Sequence, residues 1–433
     1  MKRGNFDEFE ELSDIDSMCC GDVIDGVKRR KIYRGLKSVL RETCNEFMID
    51  IIHKIGGDLS REDSPDKDNF FISPLGIMVA YSMLLPGASG ETRSQMVTSL
   101  RMDNLCNGME IVHQEIHELL DYYQEQNGSN ALSEIFTLGL LSDEKYRIKN
   151  TFLQFINQYY GAYLITDDLD PIDAANKINH CISERTKSRI SCPIDTFSTE
   201  NLFLTSVALF RGLWSIPFVR DTGCMTVFNN FDGSQSPVEM LIKRDIHFYY
   251  REIPEHHLKV IEIPYRGCFS LVIIMSTQQG KLLNFFSSQN RKDLKEFLSV
   301  DYLEPTLFSY VKIPPFKIEN LHSLADLMSS LWMDLPFGAE ADLSGVSEKF
   351  VFVEESFQQA VIEVNSESDE KSASINLHHH YNEYDLQDIE NLNNKPKELT
   401  LDMPFFFAIR DGMNSISPFF GFLLKLSQPM SID

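Results

Sequence analysis

The sequence predicts an α+β fold. Three observations carry that prediction: apolar residues recur at three- and four-residue spacing in the first half, short strongly apolar runs dominate the second, and the two do not alternate as a parallel sheet would require. Residues 1–35 form a charged extension: an acidic run from Phe6 to Asp16 precedes a basic cluster, Lys28-Arg29-Arg30-Lys31. That block buries too little apolar surface to offset chain entropy, so it is expected to be mobile. Leu36, Leu40, Cys44, Phe47, Met48, Ile51 and Ile52 then make one face of an amphipathic helix. Ile72 to Leu85 is expected to be a buried helix, and Ile111 to Tyr123 an amphipathic one. Leu202 to Phe210, Val260 to Ile263 and Ser270 to Met275 have strand length and composition. From Ser366 to about Leu399 apolar density collapses before a strand-like LDMPFFFAI resumes. A loop that long inside a compact domain is either disordered or functional.

The formal net charge of −24 argues against a nucleic-acid protein, since phosphate contact needs a concentrated Lys/Arg surface. No apolar run is long enough to span a bilayer, and no apolar h-region follows the basic start. A chain beginning at Met1 is therefore expected in the cytoplasm; an extracellular location would require a start further upstream. Cys19, Cys20, Cys44, Cys106, Cys181, Cys192, Cys224 and Cys268 show no metal-finger spacing and are expected as free thiols. The sequon Asn127-Gly128-Ser129 matters only for a secreted chain.

Enzyme signatures are missing: the chain has no GxSxG, no GxxxxGK[ST] and no HExxH. His113 and His117 lie one helical turn apart, but Glu115 falls on another side, so a solvated face is expected rather than a metal site. His378-His379-His380 point apart in an extended chain. No enzyme, cofactor or metal is predicted.

Several segments in order resemble the serpin family. Asn69 to Met96 is similar to its Asn-x-x-x-Ser-Pro opening followed by Gly87, Ala88, Gly90, Thr92 and Gln95. Phe210, Gly212, Trp214 and Phe218 match Phe-x-Gly-x-Trp-x-x-x-Phe, and IEIPYRG, IPPFKIE, ADLSGVS, AVIEVN and MPFFFAIRD follow in sequence. The resemblance implies a single domain over residues 36–433, with about eight or nine helices, three β-sheets and an exposed reactive loop at about 366–399. In inhibitory serpins a protease cleaves that loop, which inserts as a new central strand of the largest sheet and drags the acyl-linked protease with it.

The chain departs from the family pattern in three places. Its loop hinge reads Ser366, Glu367, Ser368, Asp369, Glu370, Lys371, Ser372, Ala373 and Ser374 where the family has Glu-Glu-Gly-Thr-Glu and small residues. An inserted strand would bury Asp369, Lys371, Ala373, Ile375 and Leu377. Two charges in that set each cost several kcal/mol unless well paired. The polar cluster implied to govern sheet opening falls on Ser73, Gly76, Ser206 and Gln358, where the family has Ser at position 76, Asn at 206 and His at 358; water could rebuild its bonding, but not as the same network. The loop is also long: counting from the hinge puts the scissile bond at Asn382-Glu383, and counting back from Pro404 puts it at Asn393-Asn394. Lys395 would suit a trypsin-like pocket.

The tail residues Phe6, Asp7, Glu8, Phe9, Glu10 and Glu11 resemble acidic segments that bind a basic exosite on thrombin; a solvated tail is the alternative. Lys28 to Lys31 suits a nuclear signal, a processing site or a solvated cluster. The helix that carries heparin contacts in related serpins matches Met109 to Gln126, which has no Lys or Arg, so heparin activation is not expected. The expected protein is a monomeric inhibitor of a protease with a basic surface, with no nucleic-acid or membrane partner. The alternative is a non-inhibitory serpin that serves as a binding, carrier or chaperone module.

Overall fold

The computed structural model describes residues 38–61, 67–103, 109–126, 131–190, 194–289, 291–366 and 395–426. In chain order the first part holds α1 (Ser38–Ser60), β1 (Phe70–Ile72), α2 (Pro74–Ser82), α3 (Gly90–Ser99), α4 (Met109–Gln126), β2 (Ala131–Leu140), α5 (Asp143–Tyr146), α6 (Asn150–Tyr159), β3 (Tyr163–Ile165) and α7 (Pro171–Arg185). Then follow β4 (Leu202–Gly212), β5 (Val219–Asn229), β6 (Gln235–Ile253), β7 (Leu258–Pro264), β8 (Phe269–Ser276), α8 (Lys281–Ser288), α9 (Arg291–Ser299), β9 (Glu304–Ile313) and β10 (Phe316–Ser323). The chain ends with α10 (Leu324–Ser330), β11 (Val353–Val364), β12 (Lys397–Thr400), β13 (Phe405–Asp411) and β14 (Ile416–Leu423). The described residues thus hold ten α-helical segments, the shortest a single turn, against an expectation of eight or nine.

Local chemistry accounts for the main boundaries. α2 starts where the Ser73 hydroxyl accepts from the Gly76 N–H and Pro74 takes the first helical position, and all nine of its residues are buried. α7 starts likewise: Asp170 accepts from the Ile172 and Asp173 N–H groups, with Pro171 next. On α4 the buried Val112, Ile116, Leu119 and Tyr123 recur at helical spacing.

Two hydrogen-bonded networks hold the strands. One is a five-stranded sheet in the order β10-β11-β4-β2-β3. The other runs β1-β14-β13-β8-β7-β6-β9-β12, with β5 on β6. Asp245 takes φ 49° inside β6, while the β6–β9 pairing keeps one register from Leu241↔Ile313 to Tyr250↔Glu304. β6 pairs with β5 through its first part, Gln235 to Ile242, and with β7 through its last, Tyr249 to Ile253, so it joins two limbs, β1-β14-β13-β8-β7-β6 and β5-β6-β9-β12, which with the five-stranded sheet correspond to the three expected sheets.

The five-stranded sheet lies between two cores. One face of β4, with Leu204, Ala208 and Phe210, packs into the main core; the other, with Phe203, Val207 and Leu209, packs under Ala174, Ala175, Ile178 and Ile182 of α7. Burial on both faces explains why Leu202 to Phe210 is apolar except at Thr205 and Ser206. β12 begins at Lys397, where pairing to β9 compensates for a segment with little apolar content.

Candidate functional site

The site is the seam between β4 and β11. These central strands run parallel, from Val353↔Leu202 to Ile362↔Phe210, while their outer neighbours β2 and β10 pair with them antiparallel. A strand placed between β4 and β11 and running opposite to both would replace one parallel ladder by two antiparallel ones. Parallel pairing is slightly less stable per residue. The chain leaves β11 at one end of this seam and returns through β12, so the long loop starts where such a strand would have to begin.

Beneath the middle of the seam the structure brings together Ser73, Gly76, Ser206 and Gln358. Gln358 of β11 lies directly opposite Ser206 of β4, and Ser73, Ser206 and Gln358 are fully buried. The Gln358 Oε1 accepts from the Ser73 N–H at 2.7 Å. Its Nε2 donates to the Ser73 carbonyl at 3.0 Å and the Ser206 Oγ at 3.1 Å. The Ser73 hydroxyl donates to the Pro418 carbonyl at 2.9 Å and accepts from the Gly76 N–H at 3.0 Å. One amide thus ties β11 to β4 and to the start of α2 through direct bonds. A polar group buried this deeply would cost about 1–3 kcal/mol if its partner were removed.

Gly76 is part of the same solution. A Cβ there would sit 2.8 Å from the Ser206 Oγ, 3.1 Å from the Gln358 Nε2 and 3.2 Å from the Ser73 Oγ, so the amide occupies the space a side chain at 76 would need. Thr137, opposite Ser206 on β2, has a buried hydroxyl with no hydrogen-bond partner among the described residues.

At the loop end of the seam, the buried Trp214 donates its Nε1–H to the Asn365 carbonyl at 2.9 Å, and its ring stacks on Tyr265 at 4.4 Å. Arg220 donates to the Asn365 Oδ1 at 2.9 Å, which also accepts from the Ser366 N–H at 2.8 Å. Arg189 and Arg211 both face the Glu363 carboxylate. Sequence reasoning did not find Arg189, Arg211, Arg220, Glu363 or Asn365. They meet through strand register and through the path of the chain after α7, neither of which a local pattern encodes.

The other named residues are placed as follows. Phe6, Asp7, Glu8, Phe9, Glu10 and Glu11 lie outside the described residues, as do Glu367, Ser368, Asp369, Glu370, Lys371, Ser372 and Ala373. Asn382, Glu383, Asn393, Asn394 and His378 to His380 also lie outside them. Lys395 is described and exposed, two residues before β12. The solvated face expected around His113 is corrected. His113 is only 2% exposed: its Nδ1 lies 2.5 Å from the Tyr160 hydroxyl and Phe155 packs edge-on against its ring. Burial, and next the Arg93 charge, bring its imidazole down to about 4. Glu115 is buried too, and lines a small cavity with Leu40, Arg41 and Cys44 of α1. No group of three or more metal-ligating side chains occurs among the described residues, and none of their helices is long and apolar enough to cross a membrane.

Comparisons with known proteins place this geometry. The family model for Serpin (serine protease inhibitor) matches residues 42–426. Iripin-5 of Ixodes ricinus is 26% identical over 398 residues, which cover 88% of this chain and 93% of the relative. Mouse protein-Z dependent protease inhibitor has a similar structure, with a TM-score of 0.74 at 20% identity over 89% of this chain and 98% of the other. Human thyroxine-binding globulin also reaches 0.74, at 17% identity over 90% and 99% of the two chains.

Proposed function

The chain belongs to the serpin family, and from that premise we propose that it inhibits a serine-type endopeptidase by offering the loop after β11 as bait and taking the cleaved loop into the β4/β11 seam. The observation that carries this reading is the seam itself: a closed parallel pair at the centre of the sheet, with the long loop leaving from its end. Serpins are in general protease inhibitors rather than enzymes, and the absence of catalytic motifs from the sequence agrees with that.

The proposed chemistry follows. The protease serine attacks a loop carbonyl, the peptide bond breaks, and the new amine leaves with the segment that continues into β12. The protease stays on the other side of the cut as an acyl ester. Loop residues then run back between β4 and β11 and carry the protease toward the far end of the sheet before water can hydrolyse the ester. Lys395 is a poor bait position, since β12 is already paired to β9 from Lys397 and a protease cleft needs free chain on both sides. We therefore place the scissile bond at Asn382-Glu383 or Asn393-Asn394. The carboxylates of the tail and of Glu367 to Glu390 favour a protease with a basic face, and the Lys/Arg-free α4 argues against heparin activation.

A second reading rests on Asp369 and Lys371. Charges on the buried side of an inserting strand oppose insertion, and a serpin that cannot insert would serve as a binding or carrier module, as the name of the thyroxine-binding globulin indicates for that relative. Incubation with a panel of trypsin-, chymotrypsin- and elastase-like proteases separates the two. Inhibition predicts a complex that survives boiling in detergent, at the summed mass less the released C-terminal segment. Cleaved chain with no complex across the panel selects the second reading.

A further inference from the structure

Glu363 occupies a singular place in the sheet. It is the penultimate residue of β11, and Arg211 is the penultimate residue of β4. The register pair Ile362↔Phe210 makes them neighbours across the seam at the end where the loop leaves. The Arg211 Nε lies 3.8 Å from the Glu363 Oε2. Arg189, just beyond the end of α7, brings its Nη1 to 3.8 Å from the same oxygen. On the opposite side, Lys317 of β10 is the register partner of Glu363.

Three features set how this cluster behaves. At 3.8 Å neither arginine contact is a hydrogen bond, so both are held by charge and are open to screening. All three side chains are about one-third exposed, between 29% and 36%. The Arg189 Nε is buried without a hydrogen-bond partner among the described residues, so no hydrogen bond at that atom explains why the guanidinium is held over the seam. Glu363 does explain it.

We propose that Arg189, Glu363 and Arg211 form an ion-pair latch that sets how readily the β4/β11 seam parts at its loop end. A strand inserted between β4 and β11 moves them apart by one more strand spacing, about 4.8 Å, and so breaks the Arg211–Glu363 pair. The Lys317–Glu363 neighbours stay together, because β10 and β11 remain adjacent. The latch thus opposes parting, while the β10–β11 side of Glu363 is unaffected by it. These three are positioning residues: they touch no substrate and act on the rate at which the seam becomes available. The inference deepens the proposed loop insertion, but it concerns the intact protein.

The test reads seam opening directly by hydrogen–deuterium exchange of the intact full chain, following amides of residues 204–210 and 357–363, with those of 270–275 and 405–410 as a reference. Glu363→Gln, of the same shape without the charge, should speed seam exchange about threefold at low salt and leave the reference amides unchanged. The gap should close at about 1 M salt, where the Debye length falls to about 3 Å. Glu363→Asp should behave nearly as the parent. Parental exchange at the seam in Glu363→Gln, or equal acceleration in the reference strands, overturns the latch. Failure of insertion looks different: the variant speeds seam exchange, yet cleaving the loop adds no stability.

Discussion

Among single residues, Gly76 and Gln358 must be read together. The sequence marks both as departures from the family pattern, and the structure makes them one solution: the amide bonds to Ser73 and Ser206 from space left free by the missing side chain. Gly76→Ala should lower stability by about 1–3 kcal/mol, because its Cβ meets three buried polar atoms. Urea midpoints measure this, and a cycle with Gln358→Ala should show losses that are less than additive. Unchanged stability in Gly76→Ala would mean that the cluster has slack. His113 gives a pH dependence whose sign is fixed by burial. Its folded value, about 4, lies below the ordinary 6.5, so its contribution is full above 6.5 and is lost as pH falls toward 4. On the order of 2 kcal/mol should go between pH 7 and pH 5. Asp411 works the other way: burial raises its carboxyl, which favours the folded state at acid pH and less so as pH rises. Thermal melts of the parent and His113→Gln across this window isolate the imidazole, and equal slopes for the two proteins would remove it from the account.

At the level of elements, the segment that decides the mechanism is the strand that would enter the seam. Its partners are largely well made: β4 packs apolar side chains into both cores, β11 adds Ala360, Val361 and Ile362, and α7 covers one side with Ile178 and Ile182. A strand arriving there with Ala373, Ile375 and Leu377 inward fits, whereas Asp369 and Lys371 do not. Asp369→Thr with Lys371→Ala should therefore raise the fraction of protease trapped relative to chain merely cleaved, read as the stoichiometry of inhibition. No change in that ratio would place the resistance in the sheet, at Gln358 or at the Glu363 latch, rather than in the hinge. The same two positions show why apolar pattern alone misleads here: a segment polar enough for solvent would, on insertion, have to be tolerated by a core.

For the whole molecule, much of the fold was legible in the sequence because its strongest signals are local. Helical spacing gave α1 and α4, continuous burial gave α2 and β4, and motif order gave the family. The four-residue cluster under the seam was legible through motif position, although its direct amide bonding was not. Glu363, Arg189 and Arg211 were not legible, since strand register and the route of the chain after α7 bring them together across well over a hundred residues. His113 was misplaced for a related reason: two histidines in a Glu-rich helix look solvated until the Tyr160 hydroxyl and Phe155 are found against the ring. Part of the −24 net charge is ordinary surface acidity, and two blocks, Asp7 to Asp16 and Glu367 to Glu390, place further carboxylates in the tail and in the segment that follows β11. Everything functional then depends on whether the β4/β11 pair, closed in the intact chain, can accept that loop. The direct measurement is the thermal transition of the full chain before and after its loop is cut by a promiscuous protease. A large rise on cleavage is the predicted result, since two antiparallel ladders replace one parallel one; an unchanged or lower transition contradicts insertion.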